Sequence, residues 1–445
     1  MTGRGPFGRL VARLTGRTQL ERLAAIDDKV GTFGRAERDA LAAQRDQLEQ
    51  LRDAVASRAG VDALKALDRR VEALQASLAQ QDRTLSDALE RAGRFDEQAV
   101  DDRRFARRME ALQRHDRPII VGPWTGEVGF ELLYWVPFVR RTAARYRLDP
   151  SRLIVVSRGG TASWYGNLAA RYVDLFSFVT PEEFRAATED AKKQRRVGDF
   201  DARLVGRVRE AHGLDQAELL HPGMMYRLFT PFWKELATFA RVDAYTEYAR
   251  LTPAGQAAVS DLPNEYVAAR FYFSECFPDT AANRAFVSST IEAIGRHTPV
   301  VLLDAPFAVD DHRDVVRADL PPSLRFGDPR RSPDGGGKAG LYDRNSARVI
   351  AIADRMTPET NLALQTAVIS RARAFVGTYG GYSYLAPFLG VNAIAFYSAR
   401  TFKAHHLHLA HRVFERLGGA DVTALDVAGL PLLQLTLAGG AVPVP

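Results

Sequence analysis

Between Arg35 and Arg114 the chain contains no proline, and Leu, Ala, Glu, Gln, Asp and Arg dominate it. Proline removes a backbone donor and clashes with the preceding turn, so this composition without proline favours helix throughout. Leu41, Leu48, Leu51 and Val55 keep three- and four-residue spacing until Gly60 interrupts. Leu64, Leu67, Val71, Leu74, Leu78, Leu85 and Ala88 then follow a second register. Such a stripe, with charge elsewhere, predicts a coiled coil over residues 35–116, kinked or divided at Gly60. Gln44, Arg58 and Gln81 at seam positions would weaken it and fix register or strand number. A self-associating stalk is the leading expectation, and a helical hairpin folded on the rest of the chain is its alternative.

With 445 residues, 46% of them hydrophobic, the chain has room for two or three domains and a sizeable core. The net charge of +6 is modest, and no RRM, zinc-knuckle or helix-turn-helix pattern accompanies it, so nucleic acid is not an expected partner. Anionic lipid or a phosphate-bearing substrate accounts for the charge equally well. Residues 1–34 place Arg4, Arg9, Arg13 and Arg17 beside Phe7, Leu10, Val11 and Leu14, with no acid before Glu21. This segment reads either as a helix lying on an anionic membrane surface or as a basic tail. The single cysteine, Cys276, excludes an internal disulfide framework and a cysteine-based zinc site. No apolar run is long enough to span a bilayer, and no signal-peptide core is present. A cytoplasmic setting is expected, with peripheral contact at the inner face of the plasma membrane.

At Pro118 the pattern changes. Pro118-Ile-Ile-Val-Gly122 reads as a buried strand that ends in a glycine turn, Phe130 to Tyr146 as a helix, and Leu153-Ile-Val-Val156 as a second strand, which together make a βαβ unit. Residues 180–255 read as mostly helical, with Lys192, Lys193, Arg195 and Arg196 in their middle. A second series has strands at Tyr266–Arg270, Pro299–Leu303, Val349–Ile352, Ala374–Gly377 and Asn392–Phe396, with a Gly/Pro-rich loop holding Gly335-Gly336-Gly337. The expected fold is α/β, two Rossmann-like lobes preceded by the long helical coiled coil. The lobes would span 117–258 and 259–420, with 421–445 a tail packing back. Ligands of such sheets sit beyond the carboxyl ends of the strands.

The sharpest motif is Thr378-Tyr379-Gly380-Gly381-Tyr382-Ser383, where a strand turns into a short helix. Glycines admit close backbone approach, and amides at a helix start suit a phosphate. The same geometry also occurs as a plain turn. With Leu385-Ala386 and Leu389-Gly390-Val391, this passage resembles the donor-binding half of GT-B-fold glycosyltransferases, notably the heptosyltransferase and fucosyltransferase-like groups. That resemblance implies a GT-B architecture and a nucleotide-sugar diphosphate held by Thr378 to Ser383. It also implies a nucleoside contact near Pro358-Glu359-Thr360-Asn361-Leu362 and a phosphate-binding Arg270 at the end of the lobe's first strand.

In the first lobe, Gly122-Pro-Trp-Thr-Gly-Glu127 and the following helix to Pro137 are similar to the first loop of heptosyltransferases. That likeness puts Glu127 near the acceptor hydroxyl, although those families use Asp there and Glu131 competes for the role. Four residues apart, the two acids could share one helix face, and Glu127 could equally serve only to cap the helix. Trp124 could stack on an acceptor sugar, and Arg158-Gly159-Gly160 could bind acceptor hydroxyls or a phosphate, with packing and a tight turn as the alternatives. His405, His406, His408 and His411 spread around a helix instead of converging, and Asp310-Asp311 stands without an apolar strand beside it. Neither metal nor cofactor is therefore expected.

The reading is a metal-independent glycosyltransferase moving a sugar from a nucleotide-sugar to a saccharide or lipid-linked acceptor in bacterial surface polysaccharide or glycan synthesis. Its alternatives are a non-catalytic coiled-coil scaffold with a degenerate transferase domain, or an enzyme resembling polysaccharide pyruvyl transferases.

Overall fold

A computed structural model describes residues 42–50, 61–189, 198–253, 255–307, 309, 313–316, 319–320, 325–326, 348–402 and 404–429. The basic segment 1–34, the seam positions Leu41, Leu51, Val55, Arg58 and Gly60, the Lys192–Arg196 run, Asp310-Asp311, the glycine-rich loop and the tail beyond Gly429 lie outside them. The chain divides into two compact units, Met1–Arg103 and Arg104–Pro445.

Of the first unit, residues 42–50 are helical and helix α1 begins at Val61, running to Arg114. Leu74 and Gln81 are exposed on it, and Gln44 is exposed in the 42–50 stretch. No helix among the described residues is long and apolar enough to cross a membrane.

The second unit starts inside the segment expected to be stalk. Phe105, Met109 and Leu112, the last turns of α1, are buried in its core. Phe105 packs its ring against Phe138, Tyr146 and Tyr245 at 5.4, 5.9 and 5.7 Å. These turns therefore belong to the globular fold, which corrects the boundary at 116.

The first lobe is a four-stranded parallel sheet in the order β3-β2-β1-β4: β1 Ile119–Val121, β2 Leu153–Ser157, β3 Arg171–Asp174 and β4 Glu218–Leu220. β1 and β2 are buried along their whole length, as strands covered on both faces must be. After β1 the chain enters α2, Val128–Phe130, widens to a π-helical turn over Glu131–Trp135, and continues as α3, Val136–Tyr146. α4, Ala162–Tyr165, follows β2; α5, Asp199–His212, precedes β4, and α6, Pro222–Trp233, follows it.

The second lobe holds a seven-stranded parallel sheet. In chain order its strands are β5 Val267–Arg270, β7 Val300–Leu302, β9 Arg325–Phe326, β10 Arg348–Ala351, β11 Ala374–Thr378, β12 Ala393–Tyr397 and β13 Val422–Asp426. A separate two-residue pair, β6 Tyr272–Phe273 and β8 Arg313–Asp314, lies antiparallel. The helices are α7 Ala281–Gly295, α8 Asn361–Arg371, α9 Gly381–Phe388 and α10 Ala404–Leu417. β13 adds an edge strand in register with β12, Ala393 opposite Val422, so part of the expected tail is sheet.

Strand order locates the crevices. In the first lobe the chain proceeds from β1 to β2 and β3 on one side, then returns as β4 on the other. In the second it leaves β5 for β7, β9 and β10, then returns as β11 beside β5. Helices on either side of such a reversal diverge and leave a gap at the carboxyl ends of the flanking strands. Those ends carry Gly122 and His221 in one lobe, Arg270 and the glycine turn in the other.

Candidate functional site

The two crevices meet at a closed seam. A Cβ added to Gly381 would run into the Gly129 amide nitrogen and lie 3.0 Å from Val128 Cβ, so the start of α9 packs directly on the start of α2. One added to Gly159 would lie 2.8 Å from Leu362 Cγ, and one added to Gly160 2.8 Å from the Glu359 carbonyl. The Ala363 amide donates to the Gly159 carbonyl at 2.8 Å, and Trp164 Nε1 donates to Thr366 Oγ1 at 3.0 Å. Thus the expected donor residues Glu359 and Gly381 and the expected acceptor residues Gly159 and Gly160 line one boundary. They are in contact there, not facing each other across an open cleft.

Around the glycine turn most groups are occupied. Thr378 Oγ1 donates to the Tyr272 carbonyl at 2.9 Å and accepts from its amide at 3.0 Å. Tyr379 shares a 2.5 Å hydroxyl contact with Tyr384 and lays its ring on Phe402, with centroids 4.2 Å apart. Ser383 Oγ donates to the Gly380 carbonyl at 2.6 Å and accepts from its amide at 3.3 Å. The Thr378, Tyr379 and Ser383 side chains thus brace the turn and do not project toward a ligand. Gly380 is required because Tyr272 Oη stands where a Cβ would go. What the turn still offers is backbone: a helix's first amides lack intrahelical partners and favour an anion.

Arg270 is 6% exposed. Its Nε and Nη2 donate to the two Asp314 oxygens at 3.1 and 2.8 Å, and its Nη1 donates to Gln365 Oε1 at 2.7 Å. The guanidinium lies 3.8 Å from the Tyr382 ring centre. Arg270 is therefore fixed on the second residue of α9, as a planar fork can be and an ammonium cannot.

On the other side of the seam the two expected bases differ. Glu127 is half-buried at the start of α2, its carbonyl accepting the Glu131 amide at 3.0 Å. Glu131 is fully buried in the π-helical turn. Its Oε1 accepts from Ser157 Oγ at 2.6 Å and Tyr165 Oη at 2.7 Å. Its Oε2 lies 3.8 Å from Arg158 Nη1, and neither of these buried atoms has a hydrogen-bond partner. Burial pushes the Glu131 carboxyl up to about 7, against the pull of Arg158 and of the Ser157 and Tyr165 hydroxyls. The two acids therefore do not share one site: Glu131 points into β2 and α4.

Asp174, at the end of β3, ties the Arg158-Gly160 loop by accepting from the Gly160 amide at 2.8 Å and from Tyr172 Oη at 3.0 Å. Burial pushes its carboxyl up to about 6, opposed by the Gly160 and Phe176 amides. Beside β1, Thr125 Oγ1 donates to Asp201 at 3.3 Å, and His221 Nε2 contacts the other Asp201 oxygen at 3.1 Å. His221 Nδ1 accepts from the Gly223 amide at 3.0 Å and so caps α6, which assigns the hydrogen to Nε2, the nitrogen facing Asp201.

Trp124 is not an acceptor platform. It is fully buried, stacked between Trp135 at 5.9 Å and Tyr226 at 6.1 Å. His405 and His406 are absorbed by first-lobe aromatics. The Tyr134 hydroxyl shares a 2.6 Å hydrogen bond with His406 Nδ1, and Phe232 packs on His405. No group of three or more metal-ligating side chains occurs among the described residues.

Residues that sequence reasoning passed over are Ser157, Tyr165, Asp174, Asp314 and Gln365. Ser157 carried the one available signal, a polar residue at the carboxyl end of a buried strand.

No family model matches the sequence, and the search of curated proteins finds no match. Among solved structures, the chain is similar to a glycosyl transferase of family 9 from Veillonella parvula at 10% identity, covering 74% of this chain and 90% of that one with a TM-score of 0.37. E. coli ADP-heptose LPS heptosyltransferase II is similar at 12% identity, with 70% and 91% covered and a TM-score of 0.37. CalG4, the calicheamicin glycosyltransferase, is similar at 14% identity, with 74% and 91% covered and a TM-score of 0.28. At these values the likeness says nothing about chemistry, which rests on the residues.

Proposed function

We propose that the chain is a glycosyltransferase of GT-B architecture that moves a sugar from a nucleotide-sugar to a saccharide or lipid-linked acceptor without a metal ion. One observation carries the reading. The backbone turn and Arg270 at one lobe's strand reversal abut, across the seam, the segment of the other lobe that bears a buried carboxyl raised to about 7. The α9 amides and Arg270 would balance the charge of the departing diphosphate. A base at neutral pH needs a carboxyl in that range, and Glu131 Oε2 has no hydrogen-bond partner to displace, so Glu131 suits the acceptor proton better than Glu127. A diphosphate seated on the turn parts Gly129 from Gly381, so turnover includes opening and closing of this seam.

Self-association through the helical region, contact of the basic N-terminus with the inner face of the plasma membrane, and a role in surface polysaccharide synthesis belong to the same proposal. A panel of nucleotide-sugars is incubated with the protein and acceptor saccharides, and released nucleoside diphosphate is followed, with phosphoenolpyruvate as a separate arm. Transfer from one nucleotide-sugar, abolished in Glu131→Gln, is expected. Turnover of phosphoenolpyruvate instead would replace the reading by a pyruvyl transferase, and inertness with no ligand-induced stabilisation would leave a scaffold.

A further inference from the structure

Gln365 is fully buried on α8, and its amide is only half used. Arginine carries donors alone, so the atom facing Arg270 Nη1 at 2.7 Å must be the Gln365 carbonyl oxygen. That fixes the amide's orientation and turns its NH2 away from Arg270. The nitrogen is buried and has no hydrogen-bond partner. A buried unpaired donor costs stability, and such groups in native folds call for an explanation such as strain, catalysis or a missing partner. Its location supplies one. Arg270 lies on the Tyr382 ring, one residue beyond Gly381. On α8 itself, Leu362 packs against Gly159 and Thr366 accepts from Trp164. Gln365 therefore sits where the phosphate-binding turn, Arg270 and the interlobe seam converge.

We infer that Gln365 contacts the ligand directly, its amide NH2 donating to an oxygen of the donor's diphosphate while its carbonyl holds Arg270 in place. This rests on the nucleotide-sugar reading. It adds to it a neutral donor beside a charged one, a pairing that recognises an oxygen-rich anion by geometry as well as by charge. The side chain is invisible to motif reasoning because it lies mid-helix, away from the glycine turn.

The test compares wild type, Gln365→Glu and Gln365→Met in the full chain. Each is titrated by calorimetry with UDP, GDP, ADP, CDP and dTDP and with the matching nucleosides, and each is melted without ligand. Glu keeps an acceptor for Arg270 and removes the amide donor; Met removes both without adding charge. The expected result is a diphosphate Kd weakened about tenfold or more in both variants. Nucleoside affinity should be unchanged, and the ligand-free Tm of Gln365→Glu should equal or exceed that of wild type. If wild type binds a diphosphate and both variants bind it equally well, Gln365 is only a strut for Arg270 and the inference fails alone. If wild type binds none of the five, the nucleotide-sugar reading falls and takes the inference with it.

Discussion

Replacing Gly381 by alanine tests the closed seam at its tightest point. The added methyl would collide with the Gly129 amide nitrogen and approach Val128 Cβ at 3.0 Å and Gly129 Cα at 3.1 Å. These neighbours are backbone and the root of a β-branched side chain, so none can rotate away, and the start of α2 or α9 must shift. Overpacking of this kind costs about 1–3 kcal/mol. Gly206→Ala is the matched control. It lies within α5, nothing stands within 4 Å of its added Cβ, and alanine there should stabilise by about 0.5–1 kcal/mol through helix propensity. The pair is compared by urea denaturation at equal m-value, with the two midpoints expected to move in opposite directions. A Gly381→Ala protein as stable as wild type would mean that the lobes do not meet at this point, and the seam described above would be wrong.

Glu131 sets a pH dependence whose sign follows from its raised carboxyl. Between 4.5, its ordinary value, and about 7, the folded protein keeps a proton that the unfolded chain has released. Its stabilising contribution is therefore complete below that window and lost as pH rises through it, by about 3 kcal/mol. Denaturation at both ends of the window should show this slope in wild type and its loss in Glu131→Gln, while kcat of wild type should rise with pH toward about 7. Trp124→Ala should cost about 3–5 kcal/mol, as removal of a buried aromatic does, and should leave the acceptor KM of the folded protein unchanged; a raised KM with unaltered stability would return Trp124 to the acceptor site. A chain of residues 104–445 should fold and one of 117–445 should not, because the latter loses Phe105, Met109 and Leu112; circular dichroism decides this, and equal folding of both would place the last turns of α1 outside the core.

What was legible in the sequence was periodic. The apolar runs at β1, β2, β5, β7, β10, β11 and β12 announce themselves because strands buried on both faces need continuous hydrophobicity. β3 and β4 escaped notice because Arg171-Tyr-Val-Asp174 and Glu218-Leu-Leu220 are short, partly polar edge strands, and β4 lies within a stretch that otherwise reads as helix. The glycine turn was legible as a place of close approach, since Gly380 and Gly381 are permitted by what faces them. What faces them, Tyr272 and Gly129, is distant in sequence and could not be read. The same reason hid the Glu131–Ser157–Tyr165 contacts and the sandwiching of Trp124, which depend on how α2 to α4 fold over β2 and α6. Spacing alone gave Glu127 and Glu131 equal standing, and burial separates them.

The proposed function requires that a nucleotide-sugar diphosphate bind where the second lobe's strand order reverses. A crystal structure with a nucleoside diphosphate bound tests it most directly. Phosphate oxygens are expected within hydrogen-bond reach of the first α9 amides and of Arg270, with Gly129 and Gly381 moved apart. A diphosphate lodged elsewhere, with the Gly129–Gly381 contact and the Arg270–Asp314 pair intact, would contradict it.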